Sequence, residues 1–195
     1  QKTGFAIDLL HRSEGEDPID ILSETWTVTA VPTDGSFHCF DLQTKQRALT
    51  SHPLQIEQFH YGGLAARGPV TWLIRKDSES SSRSDGASAH AGFKNSLGSD
   101  RLTGNHQKPN WVTMWGSTQG SRASVTVLCN PRSFRAPQST RLHPSKPYFC
   151  FCPAVDGDFV IDQESPYEAS YRFLINDSTP QPEWVEAQWR LYTEG

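Results

Sequence analysis

The sequence predicts a mainly β protein, an antiparallel β-sandwich with one α-helix at its C-terminal end. Three observations carry that expectation. Apolar and β-branched residues alternate in several short segments, the period-two pattern of strands with one wet face. The 14 glycines and 13 prolines punctuate the chain between those segments, as the turns of a sandwich require. Convincing helical spacing occurs in one stretch, near the C-terminus.

Thr25-Trp26-Thr27-Val28-Thr29-Ala30-Val31 and Phe37-His38-Cys39-Phe40-Asp41-Leu42 read as successive strands. Between them, Pro32-Thr33-Asp34-Gly35 has the turn chemistry of a hairpin. Val70-Thr71-Trp72-Leu73-Ile74 reads as a further strand. From Asp77 to Gly104 the composition shifts to serine, glycine and charge with no period, which predicts a surface loop excursion over 77–104. Ser124-Val125-Thr126-Val127-Leu128 alternates again. The run from Asn130 to Pro153 holds five prolines and four lysines and arginines, so it cannot be helical. It predicts an extended polar crossing that leads into a buried strand at Tyr148–Cys152. Tyr171–Ile175 reads as a late strand, and Asn176-Asp177-Ser178-Thr179-Pro180 as a turn that also spells a glycosylation sequon. Pro182 to Tyr192 follows as the helix. Proline suits its first turn, and Trp184, Val185, Gln188, Trp189 and Tyr192 fall at helical spacing on a stripe that should pack on the sheet edge.

A chain of 195 residues is long enough for one domain with a substantial core, so residues 1–195 are read as a single domain. The net charge of −4 gives no general reason to expect nucleic acid as a partner. No apolar run approaches the ~20 residues of a membrane span. Gln1 begins neither a signal peptide nor an ordinary translation start, which suggests a processed chain or a fragment. Four cysteines are too few for a disulfide scaffold. Cys150 and Cys152, two apart in a strand, point to the same face, where a direct bond is awkward, and read as small buried hydrophobes. A bridge between Cys39 and Cys129 is left open.

The chemistry-bearing residues gather in two stretches. His60-Tyr61-Gly62-Gly63-Leu64-Ala65-Ala66-Arg67-Gly68 combines a titratable ring, glycines that allow close backbone approach, and an arginine able to fork onto vicinal hydroxyls or a carboxylate. Arg67 is therefore a candidate substrate-binding group and His60 a candidate acid or base. The competing reading is a glycine-rich strand bend whose arginine pairs with a structural carboxylate. Asn130, Arg132, Arg141 and His143 place amide, guanidinium and imidazole groups on a crossing stiffened by proline. These are planar polar groups suited to sugars, with Asn130, Arg132 and Arg141 as binding groups and His143 as a second acid–base candidate. Alternatively, the arginines belong to a solvated loop and pair with Asp156 or Asp158. Trp111, Trp115, Tyr148 and Phe149 are the candidate apolar platforms, although aromatic residues in strands are more often core. The spacing of His38, His52, His60 and His143 fits no compact ligand pattern, so no metal is expected. Phosphate-loop, dinucleotide, nucleophile-elbow and zinc–cysteine fingerprints are absent from the sequence, and no cofactor is expected.

Tyr61-Gly62-Gly63-Leu64-Ala65-Ala66-Arg67, Trp111-Val112-Thr113-Met114-Trp115-Gly116, the Asn130–Pro153 run and Tyr171-Arg172-Phe173, in that order, resemble the bacterial PmoA-like domain family. That family carries an inherited methane-oxygenase label, which has no weight as evidence of activity. The resemblance covers essentially the whole chain and implies a galactose-mutarotase-like supersandwich. The family usually opens with strands bearing a His-Pro-His-His-Arg-Gly type motif, which this sequence lacks. The chain thus resembles the last two thirds of such a domain, N-terminally incomplete, with sheet edges for a partner strand or subunit to cover. Asn176-Asp177-Ser178 stands where the family tends to show a histidine-aspartate-glycine turn. Mutarotase-like enzymes pair a carboxylate base with a histidine acid, and Glu57, Glu164 and Glu168 are the carboxylates nearest the matching motifs. The resemblance also implies a secreted or periplasmic bacterial protein.

The function expected is that of a carbohydrate-active or sugar-binding sandwich, by acid–base chemistry as an epimerase, lyase or hydrolase if it is an enzyme. The alternative is a non-catalytic module that binds glycans or a protein. A carboxylate and a histidine converging on one position would favour the enzyme, and an open aromatic platform the binding module.

Overall fold

The computed structural model describes residues 3–73 and 91–194. Among these residues the chain forms a mainly β architecture with a large antiparallel sheet and one C-terminal helix, as the sequence predicts. The strands are β1 (Gly4–Arg12), β2 (Asp20–Ala30), β3 (His38–Ala48), β4 (Leu54–Ile56), β5 (Leu64–Arg67), β6 (Ala91–Asn95), β7 (Trp111–Thr118), β8 (Ser121–Cys129), β9 (Thr140–Leu142), β10 (Tyr148–Phe151), β11 (Phe159–Ile161) and β12 (Tyr167–Asn176), followed by helix α1 (Pro182–Glu194). A seven-stranded sheet has the order β1-β2-β3-β12-β8-β7-β6, and two small sheets have the orders β5-β10-β9 and β11-β4. The alternating segments at Thr25, Phe37, Ser124 and Tyr171 all fall within this large sheet.

Alternation along the central strands explains the layering. On β12, Tyr171 and Phe173 face the main core while Leu174 faces the other way. On β8, Val127 and Cys129 likewise oppose Leu128. The main core joins the inner face of the large sheet to Leu142, Phe149 and Phe151 of one small sheet and to Leu54, Ile56 and Ile161 of the other. Opposite it, Cys39, Trp111, Leu128 and Leu174 pack against Val185, Trp184 and Trp189 of α1. Trp189 Nε1 donates to the Cys129 carbonyl at 3.0 Å, and Trp111 Nε1 donates to Glu186 at 3.0 Å. At the far edge β1 pairs along its whole length with β2, yet Phe5 and Leu10 stay more than half exposed.

Three expectations are corrected. Val70–Trp72 is one 3₁₀ turn rather than a strand, and Ile74 lies outside the described residues. Trp72 is buried because Gly68 and Gly116 leave no Cβ where its ring lies, and its Nε1 donates to the Ser117 carbonyl and the Thr118 hydroxyl, each at 3.1 Å. A bulky ring locked at that point favours a turn over an extended run. The excursion over 77–104 lies outside the described residues as far as 90, and Ala91–Asn95 is edge strand β6 with Ala91, Phe93 and Asn95 buried. The Asn130–Pro153 crossing contains β9, and Ser133, Gln138, Ser139 and Thr140 are buried. Their polar atoms are satisfied: Gln138 Nε2 donates to the Phe134 carbonyl at 2.7 Å and its Oε1 accepts the Tyr171 hydroxyl at 2.7 Å. Buried polar groups with partners carry little penalty.

Candidate functional site

The β5-β10-β9 sheet buries one face and presents the other. Leu64, Ala66, Leu142, Phe149 and Phe151 point into the core. By alternation Ala65, Arg67, Arg141, Tyr148 and Cys150 share the opposite face. Register sets them in rows, with Cys150 between Ala65 and Arg141, and Tyr148 beside Arg67. Gly62 and Gly63 both have positive φ, 117° and 76°, and a Cβ on Gly63 would collide with the Phe151 carbonyl. Only glycine lets the segment before β5 lie directly on the end of β10. That placement brings Tyr61 over the sheet, its ring centroid 6.0 Å from that of Tyr148, with the Arg141 guanidinium 5.5 Å away. The Arg67 guanidinium lies 5.3 Å from the Tyr148 ring. His60 stacks at 4.4 Å on Tyr61 and at 4.4 Å on Phe59, and is exposed.

This face is strongly basic. His143 Nδ1 accepts the backbone N–H groups of Ser145 and Lys146 at 3.2 and 3.0 Å, so its ring proton sits on Nε2. Burial, then the charges of Lys146, Arg141, Arg101 and Arg67, hold the imidazole below its usual value and keep it neutral at pH 7. Arg101 is 6% exposed. Its Nη1 reaches the Pro144 carbonyl at 3.4 Å, its guanidinium lies 4.5 Å from the Phe93 ring, and its Nε and Nη2 have no partner. Burial pushes it down to about 10, against the opposing pull of Asp100. The Asp100 Oδ1 already accepts Leu102 N, Thr103 N and the Thr103 hydroxyl. Arg141 donates from Nη1 to Asn105 Oδ1 at 2.9 Å, while its Nε is buried without a partner.

Of the residues singled out from sequence, His60, Arg67, Arg141 and His143 come together here. Trp111, Asn130 and Arg132 do not. Trp111 is buried on the opposite side of the large sheet under α1. Asn130 Oδ1 caps its own turn by accepting Arg132 N at 2.9 Å, and the Arg132 side chain is exposed. Neither His60 nor His143 is hydrogen-bonded to a carboxylate among the described residues. Glu57 and Glu164 are exposed, and Glu168 pairs with Lys45 at 2.5 Å. No group of three or more histidine, cysteine, aspartate and glutamate side chains gathers into a metal site among the described residues. Cys39 and Cys129 are both free thiols, serving cores on opposite faces of the large sheet.

Sequence reasoning passed over Arg101 and Tyr61, and also a carboxylate–histidine pair elsewhere. On the inner face of β1 and β2, His11 Nε2 lies 2.8 Å from Glu24 Oε2. Glu24 Oε1 accepts Trp26 Nε1 at 2.7 Å, the Thr44 hydroxyl at 2.5 Å and Gln46 Nε2 at 3.0 Å. Burial raises the Glu24 carboxyl, but the bonds from Thr44, Gln46, Trp26 and His11 outweigh it and hold the group below its ordinary value. An ionised Glu24 accepts a hydrogen bond from His11 Nε2–H. The alternation Leu22, Glu24, Trp26, Val28 was the available signal, since it places a carboxylate on an apolar strand face. An open groove of about 330 Å³, lined by Thr25, Thr27, Thr44, Lys45 and Glu168, holds none of the basic residues around His143 and meets the Glu24 cluster at Thr44 alone.

The family model described as "Family of unknown function (DUF6807)" matches residues 2–190, and the chain belongs to that family. No curated protein and no solved structure matches it.

Proposed function

We propose that this DUF6807 member recognises an acidic sugar or sugar derivative on the outer face of its β5-β10-β9 sheet, as a binding module rather than a catalyst. The observation that carries the reading is a set of cations around His143 with buried, unpartnered nitrogens on Arg101 and Arg141. Orphaned guanidinium nitrogens are costly to keep, and a bound carboxylate or sulfate supplies the missing acceptor. Arg67, Arg141 and Lys146 would meet the acid group, with the His143 Nε2–H as a further donor. The rings of Tyr61 and Tyr148 offer an apolar surface to a sugar ring. Among the described residues no carboxylate is hydrogen-bonded to His60 or His143 to complete an acid–base pair.

The test is thermal unfolding of the full chain with galacturonate, galactose and sulfate at equal ionic strength, repeated with Arg141→Gln. A rise with galacturonate that exceeds those with galactose and sulfate, and is lost in the variant, supports the reading. Equal rises with galacturonate and sulfate would reduce it to anion binding. No rise with any of them would remove it.

A second reading rests on the His11–Glu24 pair. A histidine oriented by an ionised carboxylate is the arrangement of a general base, and Trp26 lies beside it on the same strand face. Under this reading the protein acts on a sugar at the β1–β2 inner face. Turnover of a sugar acid that disappears in Glu24→Gln while galacturonate binding persists would favour it over the binding module.

A further inference from the structure

We propose that Cys150 and Cys152 form a reversible disulfide across the end of β10. Two residues apart in a regular strand, their Cβ atoms would stand about 7 Å apart, beyond the ~4 Å that a disulfide spans. The sequence spacing therefore argues against a bond, and the fold removes the objection. β10 ends at Phe151. Cys152 has φ −117° and ψ 83°, off the strand conformation, and leads into the 3₁₀ turn Pro153–Asp156. Its N–H is tied to the Ser139 carbonyl at 2.7 Å. This bend turns the Cys152 side chain back toward Cys150, and the two Sγ atoms lie 2.8 Å apart.

Both thiols are fully buried, and Cys150 is also bonded by Tyr148. Cys152 Sγ has one further contact, to the His60 carbonyl at 3.7 Å. The segment 60–63 packs against them through the His60 carbonyl, and its His60, Gly62 and Gly63 are exposed, both glycines with positive φ. Under this proposal, a small oxidant reaches the sulfurs by movement of that short segment. The two thiols are also unequal. The bond from Cys152, against burial and with help from Tyr148, lowers Cys150, while the bond to Cys150 and burial raise Cys152. With Cys150 attacking and Cys152 resolving, or in the reverse order, the same bond results.

The oxidant required is a small disulfide of the glutathione class. The Cys150 thiolate attacks one sulfur of that disulfide and releases one thiolate. Cys152, having lost its proton, then attacks the Cys150 sulfur of the mixed disulfide and releases the second. Two protons leave, and two electrons pass to the oxidant, which ends as two thiols.

The full chain is equilibrated in buffers of graded oxidised-to-reduced glutathione ratio, quenched with an alkylating agent, digested, and read by mass spectrometry. The expected result is a peptide holding both Cys150 and Cys152 that is lighter by about 2 Da and unalkylated at oxidising ratios, and doubly alkylated after reduction. In Cys152→Ser the bond is absent and Cys150 carries a glutathione adduct. Four alkylated cysteines at every ratio would overturn the proposal, as would a bond between another pair or an unresolved adduct in the wild-type chain. The readout on the wild-type protein stands whether or not the variant folds.

Discussion

Replacing Arg101 by methionine removes a cation that is buried beside other cations and held by one long contact to the Pro144 carbonyl. Burial pushes this arginine down to about 10, a displacement from its ordinary value worth roughly 3 kcal/mol against the folded charged state. Methionine keeps most of the apolar stem but gives up the stacking on Phe93, worth about 1–2 kcal/mol for a desolvated cation. The net expectation is an unliganded protein more stable by about 1–2 kcal/mol, or roughly 2–8 °C in Tm for a chain of this size. Because the folded value is depressed, the unfolded chain binds the proton more tightly, and the penalty persists through neutral pH. It fades only as the pH rises through about 10 toward the ordinary arginine range, so the gain should be level between about pH 6 and 8. The assay is thermal unfolding of wild type and Arg101→Met with and without galacturonate. The wild type should rise with the ligand and the variant, already higher, should rise less. A variant that unfolds several degrees lower and keeps the full ligand response would show Arg101 to be a structural residue, and the reasoning would fail.

Glu24 has a lowered value in the fold, so its ionised form stabilises the protein above the ordinary glutamate range, and that contribution is lost as pH falls through the lower folded value. Glu24→Gln should therefore lower the urea midpoint at pH 7 by the equivalent of about 1–3 kcal/mol and flatten its change between pH 7 and 3; parallel acid limbs would contradict this. His143, kept neutral by burial and four surrounding cations, should titrate at higher pH once a sugar acid is bound, which NMR of its ring protons can follow; an unmoved midpoint would place the ligand elsewhere. Val185, 1% exposed on the sheet-facing side of α1, should cost about 2 kcal/mol when cut to alanine, and a loss below about 0.5 kcal/mol in denaturant titration would mean that the helix is not firmly docked.

The large sheet was legible because its strands bury at least one face and therefore alternate: Thr25–Ala30, Phe40–Leu42, Ser124–Leu128 and Tyr171–Ile175 all show the period. The helix was legible from Pro182 and the spacing of Trp184, Val185 and Trp189. Strands β4, β9 and β11 are three residues each, too short for a period to show, and β6 is hidden by serine- and glycine-rich neighbours. The candidate site was half legible. His60, Arg67, Arg141 and His143 were visible as chemistry, but whether they meet depends on the β5-β10-β9 register, which no local pattern encodes. Trp111 was misread because a strand tryptophan looks the same whether it faces solvent or a helix. Arg101 sits in a stretch whose composition reads as loop, so its burial had no local sign.

The treatment of arginine across the molecule gives the basic face its meaning. Arg172 is held by Asp41 through bonds of 2.6 and 2.9 Å and lies 4.5 Å from the Tyr192 ring, joining β3, β12 and α1. Arg135, in a left-handed conformation at φ 57°, donates to the carbonyls of Pro153, Gly157 and Asp158 at 2.9, 2.6 and 2.7 Å and stacks between Phe134 and Phe159. In both cases two of the three guanidinium nitrogens are hydrogen-bonded and none is buried without a partner, as expected where a guanidinium serves the fold. Arg101 and Arg141 are buried to a similar or greater degree, yet they leave three nitrogens without a partner, and both lie among the cations that depress His143. The other buried atoms without a partner among the described residues, on Tyr167, Asn176 and Thr179, are single neutral oxygens; orphaned donors that are charged and clustered are the pattern of a site kept ready for a ligand, and the charge left over there is positive.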